Sequence, residues 1–434
     1  MQLTIVNWNL APAAEQQAVL RRPAVAADAA IRRQAAAIID AVRRRGDTAL
    51  VDLTRQYDHA DLADLRVADA EIRAAEQELE PAAIDAIDVA IRNVSRFHEA
   101  QLAPPIDIET MPGVRCERVS HSIEAVGLYV PAGTAPLPSA AVMLAVPAAI
   151  ADCPVRIMCT PPRPDGSADP AVLTAATRAG VSDIYKVGGA QAIAAMAYGT
   201  ESVPKVNKIF GPGNAWVTSA KSLVSADPEG AAIDLPAGPS EVLVLADESA
   251  SPEFVAADLL SQAEHGADSQ VMLVTTSETL AVEVQAEVEA QLNGLSRSAI
   301  AAQSMAHSRA IVVDSASQAV EVSNRYAPEH LIVQVREPRE LLPLIRNAGS
   351  VFLGPWTPES VGDDCSGTNH VLPTYGYAST YSGLGVDQFQ RQMTIQELSR
   401  DGLANLGPSV IALATLEGLD GHAAAVSKRL GDPR

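Results

Sequence analysis

The 434-residue chain has four cysteines, Cys116, Cys153, Cys159 and Cys365, and none forms a Cys-x-x-Cys pair. A thiolate zinc knuckle is therefore not expected. Positive charge is scarce, with 32 Lys and Arg against 53 Asp and Glu and a net charge of −21. Phosphate backbones need a basic surface, so nucleic acid is not an expected partner, and the acidity reads as a device for solubility. Long apolar runs are missing as well. Residues 140–151 form the longest, contain Pro147 and are too short to span a bilayer, so no membrane association is expected. The first ten residues lack a basic stretch followed by an apolar core, which makes a reducing cytoplasm the expected compartment. No internal repeat stands out, and no Gly-x-Gly-x-x-Gly fingerprint occurs.

What is present is a long α/β pattern. Residues 1–24 are short, mixed and Pro-punctuated, and read as an arm. Helical periodicity runs over 25–45, 47–57, 69–79 and 81–101 with no catalytic signature, which suggests scaffold. Strand patterns then appear at 114–119, 123–129, 155–159, 184–187, 208–210, 242–245, 271–274, 310–313, 331–335 and 350–352, mostly separated by helical runs. Such alternation predicts parallel sheets with helices on both faces, and so many units predict two sheets, with a crossing near 231–238. After Val371 the pattern breaks into a loop, followed by helices expected at 395–401 and 408–430. Residues 381–434 have too little apolar content for a core of their own, and so are expected to pack on something else, such as a partner subunit.

Several polar constellations punctuate this frame. In Ser261-Gln262-Ala263-Glu264-His265-Gly266, Gln262 and His265 are three apart at the end of a helix and share a face. Imidazole nitrogen and amide oxygen together suit a borderline metal such as zinc. The stretch 362–370 reads as a glycine-hinged loop in which Asp363, Asp364, His370 or Cys365 could complete such a site. Glu329 and His330 adjoin just before a strand. On spacing alone they read as a solvent-facing pair, whereas a turn after Pro328 would bring both into one cleft for acid–base work. Glycines at Gly133, Gly188-Gly189 and Gly211-Pro212-Gly213 mark strand-to-helix turns able to hold a pyrophosphate, with Gln191 and Asn214 just beyond two of them. A zinc hydrolase would share the metal residues but predicts no nucleotide turns.

Taken together, the motifs resemble the histidinol dehydrogenase family. The resemblance rests on Val187-Gly-Gly-Ala-Gln191, Phe210-Gly-Pro-Gly-Asn214, the 233–241 segment, Ser261 to Gly266, Pro328-Glu-His330-Leu, Ser366-Gly-Thr-Asn-His370 and Glu417…His422, in order along the chain. It implies two Rossmann-like parallel-sheet domains, a helical N-terminal region and a tail crossing to the partner subunit of a homodimer with shared active sites. The expected division is an arm at 1–24, a discontinuous first domain at 25–129 and 237–380, an NAD-side domain at 130–236 and a tail at 381–434. The resemblance implies one Zn2+ per subunit on Gln262, His265, Asp363 and His422, with Glu329 and His330 as the catalytic pair. It assigns substrate contacts to Ser240, Gln262, His265, His330, Asp363, His370, Glu417 and His422, and NAD contacts to Tyr129, Gln191 and Asn214. The implied reaction is the NAD-linked, two-step oxidation of L-histidinol to L-histidine through the aldehyde; the alternative is a related dehydrogenase for another amino alcohol. Ala132 and Asp364-Cys365 depart from the family pattern.

Overall fold

A computed structural model describes residues 3–22, 29–132, 135–236 and 238–431. Two parallel sheets form its frame. One has six strands in the order Thr4–Asn7, Arg309–Val312, Gln270–Thr275, Glu241–Ala246, His330–Gln334 and Ser350–Leu353. The other has five, ordered Asp183–Lys186, Val155–Thr160, Ala125–Tyr129, Lys208–Phe210 and Ala232–Ile233. Helices cover both faces, so central strands are buried along their whole length, as Glu241–Ala246 and Gln270–Thr275 are. The expected crossing lies where Ala232–Ile233 closes one sheet and Glu241–Ala246 opens the other. A third, antiparallel sheet joins Ile106–Met111, Val114–Ser122 and Gln390–Leu398.

Three expectations need correction. The expected arm is built into the fold: Thr4–Asn7 is the edge strand of the six-stranded sheet, with Ile5 opposite Ala310, and Leu3 and Trp8 are buried. As an edge strand it is exposed at Thr4 and Asn7 and only half-buried at Ile5 and Val6, so it lacks the continuous apolar run of the central strands. The N-terminal helices pack on the five-stranded side rather than with the 237–380 part. Ala35, Ile38, Ile39 and Val42 form one stripe of the Ala29–Arg45 helix, which meets the Gly189–Tyr198 and Ala215–Ser225 helices. Residues 25–28 of the expected first helix lie outside the described residues, as do Gly133 and Thr134 beside the half-buried Ala132.

The tail also differs. Where a helix was expected at 395–401, Gln390–Leu398 is a strand in nine-residue antiparallel register with Val114–Ser122. Ser399 then caps the Arg400–Leu416 helix through its side chain, and Pro408 lies inside that helix instead of starting one. Gly418, at φ +70°, separates it from the Asp420–Leu430 helix. Met393, Ile395, Leu398, Leu413, Leu416 and Leu419 are exposed on this tail.

The Pro252–Ala263 helix begins with proline in its first turn and buries Val255, Leu259, Asp258 and Gln262. Asp258 accepts from Gln334 Nε2 at 2.6 Å, while Gln334 Oε1 has no partner. Burial pushes the Asp258 carboxyl from 3.8 up to about 7, against the pull of Gln334. The folded chain therefore keeps a proton that the unfolded chain has released between those two values, so stability falls as pH rises through that window. Melting temperature should drop by a few degrees from about pH 5 to about pH 8, on the order of 2 °C per kcal/mol for a large domain. Asp258→Asn should flatten that part of the profile; thermal melts of both proteins compare them directly.

Candidate active site

The catalytic candidates gather at the amino ends of the six-stranded sheet. His330 is the first residue of its strand, and Glu329 precedes it. The solvent-facing reading fails, because the two are 2% and 7% exposed. Strand alternation would point them apart. The main chain of Glu241 holds both: its N–H donates to Glu329 Oε2 at 2.8 Å, and His330 Nδ1 donates to its carbonyl at 3.0 Å. His330 Nε2 is thereby turned to Asp363 Oδ1, 3.2 Å away. Both imidazole nitrogens face acceptors, the arrangement of an imidazolium.

The charges follow from this packing. Burial pushes the Glu329 carboxyl up to about 8, opposed by the neighbouring His330. Burial also opposes the His330 charge, but Glu329 and Asp363 outweigh it and push the imidazole up to about 10. Asp363 is held well below the usual carboxylate range; burial works against this, but the bond from His330 and the nearby His370 and His265 prevail.

Asp363 and Asp364 end a short helix, Glu359–Asp364, where an open loop was expected. Gly362 lets this helix lie close on Phe352: a Cβ there would come 2.5 Å from the ring edge. Of the two acids, Asp363 is the one brought into the cluster, and Asp364 is exposed. One turn earlier Glu359 shares the Asp363 face. It is buried, accepts from Ser261 Oγ at 2.7 Å, and has its pKa raised by that burial. The potential ligand atoms of His265, Glu359 and Asp363 all lie within 4.8 Å of one another. Gln262 is fully buried in the last turn of its helix, and neither amide atom has a partner. Such an orphan costs about 1–3 kcal/mol unless something satisfies it. Ser240 Oγ is 3.5 Å from His265 Nδ1, and His370 Nδ1 donates to the Asp363 carbonyl at 2.8 Å. Burial lowers the His265 pKa.

A cavity of about 1210 Å3 opens from this cluster towards the carboxyl ends of the five-stranded sheet. Ser240, His265, Glu329 and His370 line one end, and Tyr129, Gly189, Gln191 and Asn214 line the other. The turns at that other end are tightly held. Tyr129 is buried, and its hydroxyl accepts from Gly189 N–H at 3.0 Å. Gly211 sits at φ +122°, where a Cβ would strike the Tyr129 carbonyl at 2.1 Å. The buried Lys221–Asp234 pair clasps it, Lys221 donating to the Gly211 carbonyl and Asp234 accepting from its N–H. Asn214 Oδ1 caps the Ala215–Ser225 helix at the N–H groups of Trp216 and Val217.

The described chain therefore brings Ser240, His265, Glu329, His330, Asp363 and His370 together, with Gln262 buried one turn before His265 and Tyr129, Gln191 and Asn214 across the cavity. Glu417 and His422 are exposed at the junction of the two tail helices and do not line it. Sequence reasoning missed Glu359, although its spacing of four from Asp363 was a usable signal. It also missed Glu241, whose contribution is made by the main chain and leaves no signal in a side-chain pattern. All four cysteines are free. No helix among the described residues is long and apolar enough to cross a membrane.

Comparison with known proteins agrees with this geometry. The chain is similar to histidinol dehydrogenase of Vibrio parahaemolyticus, 54% identical over 98% of both chains, and to that of Yersinia pestis, 51% identical over 98% of this chain and 96% of the other. The crystal structure of histidinol dehydrogenase from Elizabethkingia anophelis superposes with a TM-score of 0.94 at 45% identity, covering 99% of this chain and 98% of that one. The family profile described as histidinol dehydrogenase matches residues 20–430, and the chain belongs to that family of oxidoreductases.

Proposed function

We propose that the protein oxidises L-histidinol to L-histidine in two successive hydride transfers to NAD, as a zinc-dependent homodimer of the cytoplasm. The observation that carries the metal reading is the partnerless, buried Gln262 amide, one turn before His265 of the His265–Glu359–Asp363 group. One imidazole, an amide oxygen and carboxylates form a donor set that zinc accepts. Gln262, His265 and Asp363 would hold the ion, with His422 supplied by the partner's tail. Zinc there supplies a Lewis-acid anchor for the amine and imidazole of the substrate.

The chain's own residues account for the proton chemistry. His330 takes the hydroxyl proton at Nε2 as hydride leaves the carbinol carbon for NAD. In the resting cluster Glu329 and Asp363 together hold a proton on this imidazole. A cation held by Asp363 would weaken its share of that hold and favour the neutral imidazole that a base at Nε2 requires. Glu329 then removes a proton from a water that attacks the aldehyde, and a second hydride leaves for a second NAD. Ser240 and His370 orient the substrate, and Glu417 of the crossing tail meets its ammonium. Tyr129, Gln191 and Asn214 hold NAD, Asn214 through Nδ2 because capping occupies its Oδ1.

Adding L-histidinol and NAD to the zinc-loaded protein should produce NADH absorbance, and its absence would remove the proposal. Metal analysis tests the ligands separately. Wild type and Asp364→Ala should keep about one zinc per chain, and Asp363→Ala should lose it. The reverse pattern would overturn the assignment.

A further inference from the structure

Arg22 lies far in sequence from every residue of the site, yet it reaches the residues that hold the Glu329–His330 pair. Its guanidinium forks onto the buried Glu241 carboxylate, Nε to Oε1 at 2.5 Å and Nη2 to Oε2 at 2.9 Å. Nη2 also donates to the carbonyls of Tyr326 at 2.7 Å and Ala327 at 3.3 Å. The guanidinium carbon stacks 3.9 Å above the centre of the Tyr326 ring. Glu241 Oε1 additionally accepts from Tyr375 N–H at 2.8 Å.

Each anchored segment bears on the catalytic pair. Glu241 is the residue whose N–H and carbonyl hold Glu329 and His330. Ala327 ends the Ala316–Tyr326 helix in the left-handed region, at φ +50°, and that bend feeds directly into Pro328-Glu329-His330. A left-handed alanine is strained by about 1–2 kcal/mol and needs its surroundings to hold it. We infer that Arg22 is a positioning residue for the Glu329–His330 pair, fixing from the N-terminal segment both the strand start that grips the two side chains and the strained turn that delivers them. The inference rests on the proposed roles of Glu329 and His330. A flexible lysine could supply the charge but not the planar fork and ring stacking.

The test is steady-state kinetics of the full-length, zinc-loaded enzyme. In Arg22→Ala, kcat for L-histidinol should fall roughly 10- to 100-fold, the scale of a small misplacement of reacting groups, while KM changes by less than about threefold. Arg22→Lys should recover only part of the loss. Added methylguanidinium should restore Arg22→Ala activity several-fold and leave wild type unchanged. Because Arg22→Ala strands a buried carboxylate, the double variant Arg22→Met with Glu241→Gln provides a folded alternative without a lone charge; the same selective fall in kcat is expected of it. A readout independent of turnover is the His330 Nδ1 proton in selectively labelled protein, identified by its absence in His330→Asn. It should be protected from exchange in wild type and lost in the variants. A folded variant with wild-type kcat and a protected Nδ1 proton would overturn the inference. If wild type forms no NADH from L-histidinol, the functional reading itself fails, and the positioning role fails with it.

Discussion

Glu329→Gln should stop the reaction half-way. Supplied with histidinal, the variant should turn over about a hundredfold more slowly than wild type, the usual loss on removing a general base. Supplied with L-histidinol, it should still carry out the first oxidation, so NADH formed per substrate consumed should approach one instead of two on that division of roles. Glutamine keeps an oxygen for the Glu241 N–H, so the side chain retains its anchor and loses only its basicity. The pH profile gives a second signature. Burial holds a proton on Glu329 up to about 8. The base is the ionised form, so the wild-type aldehyde step should rise with pH and level off above that value. The variant should lack this limb. Ordinary turnover of histidinal by Glu329→Gln would sink the water-activation role.

The second large effect concerns ownership of the site. His265→Asn and His422→Asn should each be nearly inactive, and unfolding and refolding them together should restore about a quarter of wild-type activity per site. The arithmetic is that of two-fold symmetry: random pairing makes about half of the dimers mixed, and each mixed dimer gathers both lesions in one site and none in the other. The motivation lies in the tail, where Glu417 and His422 are exposed away from the cavity and Leu413, Leu416 and Leu419 are exposed beside them. A partner covering that apolar surface would bring the tail to its own cavity. A refolded mixture that stays inactive while wild type refolds well would assign each site to one chain.

How much of this could be read from sequence depended on where the signal resides. The central strands, such as Val271 to Val274, are continuous apolar runs because both faces are buried, and they were legible with their ends within a residue or two. The tail strand was not, because its side chains are exposed and its pairing with Val114–Ser122 is made by the backbone. Gln262, His265, Glu329 and His330 were visible as chemistry-bearing neighbours. What holds Glu329 and His330 was invisible: a main-chain grip by Glu241, itself paired with a cation 219 residues away at Arg22. Side-chain spacing carries helix faces well and carries long-range backbone contacts hardly at all.

The cavity meets the carboxyl ends of one sheet and the amino ends of the other, and this gives it an electrical gradient. At one end, the Gly189–Tyr198 and Ala215–Ser225 helices begin, presenting the positive poles of their dipoles behind the N–H groups that Tyr129 and Asn214 cap. At the other, the Pro252–Ala263 helix terminates beside His265, presenting carbonyls and a negative pole, reinforced by the Asp363 carboxylate. Each pole contributes only about 0.3–1 kcal/mol, but both act before any specific contact forms. On the proposed function, an anionic dinucleotide and a cationic amino alcohol entering the same space would be drawn to opposite ends, and the reversed arrangement would set like against like at both. The folding direction of the two sheets would thus sort the proposed reactants by charge and leave the hydride donor and acceptor to meet in the middle.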